Sequence, residues 1–213
     1  MVIQHLDVVI TNGIVALLSF YFGMALLSSP TMHYDLRRLL VGSFLSIAAA
    51  SIAAGYFHGW LQEGTDSLRP LAWRAVVLFI GLTGFYMWRL LAFFVLPQRW
   101  RRVGDIFTVL LLVGYCYFVT NERDDFMVAV LFYLPAVVLL MFTFLIKWLA
   151  KKDARYIRGF LGLFVTIVAS AAQASKFDID PVYFSHNAIY HLIQALGLYL
   201  FYQFSLRIIV WKT

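Results

Sequence analysis

Residues 126–146 read FMVAVLFYLPAVVLLMFTFLI, an uncharged run long enough, as an α-helix, to cross the hydrocarbon core of a bilayer. Six further apolar runs of comparable length occur in the chain. With 62% hydrophobic and 13% charged residues, the chain is too apolar for a soluble globular domain. The sequence therefore predicts an all-α integral membrane bundle of seven transmembrane helices, at residues 7–29, 39–61, 71–95, 104–120, 125–148, 157–176 and 184–209.

The connections between these segments are short, so we expect a single domain over residues 1–213. The first segment has no basic region before it and lacks a convincing small-residue cleavage site, which favours a retained helix over a signal peptide. The single cysteine, Cys116, lies inside the fourth segment. A lone cysteine excludes both an internal disulfide and a thiolate metal cluster.

Charged residues are distributed unequally between the two ends of the segments. Basic residues concentrate around the connections that follow segments one, three and five: Arg37, Arg38, Arg99, Arg101, Arg102, Lys147, Lys151, Lys152, Arg155 and Arg158. Acidic residues concentrate in the alternate connections: Glu63, Asp66, Glu122, Asp124, Asp125, Asp178 and Asp180. By the positive-inside rule, this pattern predicts an N-terminus outside and a cytoplasmic C-terminus. It also accounts for the net charge of +6 without a nucleic-acid partner.

Polar residues cluster where the seventh segment begins. The stretch at 184–194 contains His186 and His191 together with two amides and a tyrosine, and His58 ends the second segment. The predicted topology places all three histidines at similar depth on the outer side. Because imidazole and amide groups are costly beside lipid, such a cluster is typical of a functional site that faces the interior of a bundle.

Three neutral imidazoles with an open fourth position are the ligand set of a hydrolytic zinc site. Ligands on one helix favour i,i+4 spacing, whereas His186 and His191 are five residues apart. The two histidines would converge only if His186 lies at the helix cap, where the backbone departs from helical geometry. Asn187 holds the i,i+4 position relative to His191, so either residue could take that place.

Further polar residues lie at the same predicted level. Tyr190, Gln194 and Asn187 are expected to orient the imidazoles or contact a bound group. Arg74 could face the cluster and bind an anion, or simply anchor the third segment at the interface. Gln173, at the end of the sixth segment, could also line the pocket.

The strings GYFHG at 55–59 and HNAIYHLIQ at 186–194 resemble those of small bacterial membrane proteins related to the CREST superfamily. This superfamily of seven-helix membrane hydrolases includes alkaline ceramidases and adiponectin-receptor-like (PAQR) proteins. The resemblance implies a zinc ion held by His58, His191 and His186, hydrolysis of a lipid amide or ester, and residence in a bacterial inner membrane.

The family's catalytic residues are displaced in this sequence. Its serine, four residues before the histidine of helix two, is Ala54 here, and Ser51 lies about one turn further back. Its aspartate near the start of helix three is matched only by Asp66 in the preceding loop. Ser51 and Asp66 are therefore the expected catalytic side chains.

Two alternatives use the same cluster without hydrolysis. The protein could be a receptor that binds a membrane lipid or a small ligand. It could also be a haem protein in which His58 and His191 are the axial ligands. For His58 alone, an interfacial residue satisfied by water and headgroups is a third interpretation.

Overall fold

The computed structural model describes residues 3–63, 65–180 and 183–210. Over these ranges the chain is all-helical, and a single isolated β-bridge joins Asp180 to Phe184. Each of the seven helices found there is long and apolar enough to cross a membrane, which confirms the predicted all-α class and its seven helices of membrane-spanning length. The helices are α1 Leu6–Ser28, α2 Tyr34–Tyr56, α3 Arg69–Val95, α4 Gln98–Asn121, α5 Phe126–Lys151, α6 Ala154–Ala174 and α7 His186–Ile209, with a π-helical turn, Phe57–Leu61, continuing α2.

Several helices begin earlier than their apolar runs. α2 begins at Tyr34 where the sequence indicated 39, and α4 begins at Gln98 where it indicated 104. The added turns carry arginines, which lengthen a helix into the headgroup region without entering the hydrocarbon core. Hydropathy therefore marks the part of each helix that lipid can cover, and the helix itself is longer.

Side-chain caps fix the starts of three helices. Asp125 accepts a hydrogen bond from the Val128 amide at 3.1 Å before α5, and Asp153 accepts from the Arg155 amide at 2.9 Å before α6. Ser185 is the corresponding cap of α7. Each cap satisfies a backbone donor that the first helical turn leaves unpaired, which defines where the helix can begin.

Six of the helices form a closed ring. In order around the ring they are α1, α2, α3, α5, α6 and α7, and contacts between α1 and α7 complete it. α4 packs on the outside against α3. Because short connections join successive helices, the starts of α1, α3, α5 and α7 lie at one end of the ring with the ends of α2 and α6.

Aromatic side chains fill the opposite end of the ring. Phe22 stacks on Tyr202 at a centroid distance of 4.3 Å, and Phe144 contacts Phe204 at 4.5 Å. All four of these side chains are buried. The ring is therefore solid at this end, and any internal space lies toward the other.

α6 and α7 approach until their backbones touch. A Cβ atom built on Gly162 would lie 2.7 Å from the Phe201 amide nitrogen and 2.9 Å from the Gly197 carbonyl oxygen. Glycine is required at Gly162 because backbone atoms, which cannot rotate aside, occupy the space of a side chain.

Candidate functional site

A cavity of ≈ 370 Å³ lies inside the ring, a size within the range of small-molecule sites. All six ring helices contribute to its wall, whereas α4 does not. None of the described residues that line it is an aspartate, glutamate, lysine or arginine. Its polar lining consists of Asn12, Ser51, His58, Thr83, Tyr133, Thr166, Gln173, Asn187, Tyr190, His191 and Gln194.

The cavity changes from polar to apolar along its length. On α7 its lining runs from Asn187 to Phe201, about 21 Å at a helical rise of about 1.5 Å per residue. On α2 and its π-helical turn the lining runs from His58 to Ile47, about 16 Å on the same basis. We call the polar end, which holds His58 and His191, the histidine end.

His191 is the most enclosed of the histidines, with 8% of its surface exposed. Its Nδ1 atom lies 3.1 Å from the Thr11 hydroxyl oxygen. That hydroxyl has two carbonyl acceptors on its own helix, Asp7 at 2.9 Å and Val8 at 3.3 Å. With its proton on either carbonyl, Thr11 accepts from His191, so Nδ1 carries the ring proton and Nε2 is left as an acceptor.

His58 lies in the π-helical turn that continues α2. Its Nδ1 atom is hydrogen-bonded to the side-chain oxygen of Gln62. An amide oxygen only accepts, which again places the proton on Nδ1 and leaves Nε2 as an acceptor. His58 and His191 line the same cavity. Two imidazole acceptors thus line one end of a single cavity. π-helical turns of this kind occur frequently at functional sites.

Two amides form a second polar pair at the histidine end. Gln173 at the end of α6 donates from Nε2 to the Asn187 side-chain oxygen at 2.9 Å. The bond leaves the Asn187 amide hydrogens and the Gln173 oxygen for other partners. Amide donors and imidazole acceptors therefore line the same cavity.

His186 is the first residue of α7. This is the position from which its side chain could converge with His191, but the side chain is hydrogen-bonded to a loop residue instead. Its Nδ1 atom lies 2.8 Å from Asp178 Oδ1, and its backbone amide donates to the same oxygen at 2.5 Å. These two hydrogen bonds lower the pKa of the Asp178 carboxyl group. His186 is not part of the cavity wall, and Asn187 lies there beside His191.

Of the other residues singled out in the sequence, some lie in the cavity and some do not. Ser51, Tyr190 and Gln194 line it. Asp66 lies in the loop before α3, where its side chain accepts from the Leu68 amide at 2.8 Å. Arg74 pairs with Asp124 at 3.0 Å. Because Asp66 and Arg74 have partners in or near the loops, the structure does not bring them together with the histidines.

The structure adds residues that sequence reasoning missed. Asn12 is 1% exposed, and its amide nitrogen donates to the Val8 carbonyl at 3.0 Å, which leaves its side-chain oxygen for the cavity. An amide within the first apolar segment, near its start, was the available signal. Tyr133 and Thr166 carried no comparable signal, because tyrosine and threonine are common in apolar helices.

Asp7 connects α1 to α7 beside the cavity. Its carboxylate accepts from the Ser185 amide at 3.0 Å and from the Ser185 hydroxyl at 2.5 Å. The Thr11–His191 bond lies one turn deeper along the same pair of helices. Together the two contacts hold α1 and α7 in register at the histidine end.

Across the described residues, no group of three or more histidine, cysteine, aspartate or glutamate side chains is placed to hold a metal ion. The cavity offers a zinc ion two imidazoles, from His58 and His191, and neutral amides in place of a third strong ligand. The described donor set therefore does not fit the three-histidine site that the resemblance implies.

A protein-family model described as a family of unknown function, DUF6962, matches residues 8–208. That match spans all seven helices nearly from end to end. No curated protein and no solved structure gives a significant match.

Proposed function

We propose that this chain, which belongs to the DUF6962 family, is an integral membrane protein that binds a neutral amphiphile. The observation that carries the proposal is the graded cavity, with His58 and His191 at its polar end and aliphatic and aromatic residues at its depth. The ligand's polar group would lie at the histidine end, and its apolar chain would extend toward the middle of the bundle.

The chemistry of the polar end favours a hydroxyl or amide headgroup. The Nε2 atoms of His58 and His191 accept hydrogen bonds, and the Asn187 amide donates them. A hydroxyl or amide satisfies both kinds of partner, whereas a carboxylate would leave the imidazole acceptors unpaired. The lack of aspartate, glutamate, lysine and arginine in the described lining also favours a neutral ligand, since a buried charge requires a partner.

The apolar depth of the cavity favours an acyl or alkyl chain. Leu163, Leu198 and Phe201 line the part furthest from the histidines. Burying a hydrocarbon chain there would contribute about 0.8 kcal/mol per CH₂ group if the chain comes from water. A ligand already in the membrane would gain less, so the polar end would provide its selectivity.

The distribution of charge supports an outward-facing histidine end. Arg37, Arg38, Arg101 and Arg102 lie at the opposite end of the helices, where α2 and α4 begin. Under the positive-inside rule that end is cytoplasmic, so the ligand would enter from the outer side or the outer leaflet.

Zinc-dependent hydrolysis of a lipid amide or ester is the second candidate. The convergence of His58 and His191 on one cavity favours it, because Gln62 and Thr11 orient both rings with Nε2 available. The missing third ligand counts against it. Zinc analysis of the purified chain, with His58→Ala and His191→Ala in parallel, separates the candidates: stoichiometric zinc lost in both variants would favour the hydrolase.

Native mass spectrometry of the purified chain tests the binding proposal. The chain would be titrated with a monoacylglycerol and with an N-acylethanolamine, and both solutions would be assayed for released fatty acid. We expect stable adducts without turnover. Ala54→Leu, which places a larger side chain in the cavity wall, should abolish the adducts.

Ile52→Leu is the matched control, since Ile52 lies on the same helix with 66% of its surface exposed to the outside. It should bind as the parent does. Equal loss in both variants, or no adduct in the parent, would contradict the proposal, and fatty-acid release would identify the protein as a hydrolase instead.

A further inference from the structure

A second cavity, of ≈ 270 Å³, lies at the end of the molecule opposite the histidines. Its lining residues come from α2, α3 and α4. Arg38, one of its lining residues on α2, lies twenty residues before His58, which is about 30 Å along the helix. It shares no lining residue with the first cavity. Its wall is strongly charged: Asp35, Arg38, Arg89, Arg101 and Asp105, with Leu39, Ala92 and Phe93. We call it the arginine pocket.

One of the three arginines is already paired. Arg89 on α3 donates to Asp105 Oδ1 on α4 from Nε and from Nη2, each at 2.8 Å. Its guanidinium also lies over the Phe85 ring, 5.6 Å from the centroid. The charge of Arg89 is therefore compensated within the protein, and the pair holds α4 against α3.

The other two arginines have no carboxylate partner among the described residues. The Arg101 guanidinium carbon lies over the Phe93 ring, 4.0 Å from its centroid, and the Nε atom is buried without a hydrogen-bond partner among the described residues. Arg38, on α2, also lines the pocket. It forms no ion pair or hydrogen bond within the described ranges. A buried guanidinium donor without an acceptor costs free energy unless an acceptor binds.

The charge balance of the arginine pocket specifies the kind of acceptor. Three arginines and two aspartates leave an excess of one positive charge. A phosphodiester carries one negative charge and presents oxygens to the fork of guanidinium donors. The pocket lies in the last turns of α3 and the first turns of α2 and α4, the level at which a spanning protein meets lipid headgroups.

We propose that the arginine pocket binds a phosphate-bearing anion through Arg38 and Arg101. The site is independent of the histidine cavity and of its proposed ligand. The phosphate group can come from a membrane lipid headgroup or from a soluble phosphate compound, and these two sources make different predictions.

Titration of the purified chain in a nonionic detergent distinguishes them. The probes are phosphatidylglycerol, which has a net negative headgroup, phosphatidylcholine, whose headgroup is neutral overall, and inorganic phosphate, with native mass spectrometry and thermal stability as readouts. Preference for phosphatidylglycerol that phosphate does not reverse identifies a lipid site. Competition by inorganic phosphate identifies a site for a soluble anion. An equal response to all three probes, or none, overturns the proposal.

Variants assign the effect to the pocket. Arg101→Gln and Arg38→Gln should each weaken anion binding about tenfold or more, the value of a charge-assisted hydrogen bond. Arg102→Gln is the control, because Arg102 is an exposed neighbour on the same helix that does not line the pocket. It removes the same charge and should bind as the parent does.

Asp35→Asn distinguishes binding from a structural role. It removes the pocket carboxylate that has no ion pair within the described ranges, and with it a repulsive charge near the anion. We expect anion affinity to increase in this variant. An unchanged or weaker affinity, or a loss in Arg102→Gln equal to that in Arg101→Gln, would contradict the proposal.

Discussion

Thr11 and His191, 180 residues apart in the chain, share a buried hydrogen bond of 3.1 Å between α1 and α7. Because the threonine hydroxyl gives its proton to a carbonyl of its own helix, Asp7 or Val8, the bond sets which ring nitrogen of His191 is protonated. The chemistry that His191 offers to the cavity is therefore decided by a residue on a different helix.

Replacing Thr11 by valine should release this constraint. Thr11→Val removes the acceptor and leaves the Nδ1–H of His191 unpaired, so the neutral ring should shift toward the Nε2–H form. The unfolding free energy should fall by about 1 kcal/mol. Histidine ¹⁵N NMR would report the change of tautomer. Thr108→Val is the control, since the buried Thr108 hydroxyl bonds only within α4; an identical histidine spectrum in parent and Thr11→Val would refute the assignment.

Gly162→Ala should destabilise the protein by about 1–3 kcal/mol, the usual cost of overpacking. The added methyl group would meet backbone atoms of α7 at 2.7–2.9 Å, and these cannot rotate aside. Thermal unfolding in detergent measures the effect. Gly114→Ala serves as the comparison, because no atom lies within 4 Å of a Cβ at that position, and it should be neutral or stabilising. Similar losses in the two variants would show that the close contact at Gly162 is not responsible, since alanine is the better helix former at both positions.

The Asp178–His186 contact should make stability depend on pH in the acid range. Hydrogen bonds from His186 lower the pKa of Asp178 in the folded protein below its ordinary value of 3.8. The stabilisation is therefore complete above pH 3.8 and is lost as the pH falls through the lower, folded value. Asp178→Asn should flatten this part of a melting-temperature profile. Asp66→Asn, in another loop, should leave the profile unchanged, and an acid-range slope that persists in Asp178→Asn would disprove the assignment.

Tyr115→Phe should loosen the attachment of α4 to the ring. The Tyr115 hydroxyl donates to the Val77 carbonyl at 2.6 Å, and its side chain is 5% exposed. Removing this hydrogen bond should cost about 1 kcal/mol of unfolding free energy. Tyr117→Phe, at a position on the same helix that is 64% exposed, should have no measurable effect. Denaturant titration in mixed micelles would compare them, and equal stabilities would show that the bond contributes nothing.

The sequence predicted the seven helices well because a bilayer-spanning helix must be long and apolar, and hydropathy along the chain measures both properties. It also placed His58 and His191 at one level, since charge distribution gives direction and helical rise gives depth. Both residues line the cavity, as the shared level led us to expect. Tyr190 and Gln194 lie within one turn of His191 and line the cavity too, and so does Ser51, which the family resemblance had singled out.

The partners of the remaining residues could not be predicted in this way. His186 and Arg74 lie at the right level, but Asp178 and Asp124 in the adjoining loops bind them. Loop conformation has no periodic signal in the sequence. The sequence also could not predict that α4 lies outside the ring. A helix surrounded by lipid and a helix surrounded by protein both carry apolar side chains, so composition does not distinguish them.

Backbone contact at Gly162 and Gly197 has a consequence for how a ligand reaches the cavity. α6 and α7 cannot separate without losing that contact, and α1 and α7 are fastened by Asp7–Ser185 and Thr11–His191. The contact between α6 and α7 is therefore closed at the apolar end of the cavity, and the contact between α1 and α7 is closed at the histidine end. If the proposed amphiphile enters sideways, it would have to pass between ring helices other than the pairs α6–α7 and α1–α7.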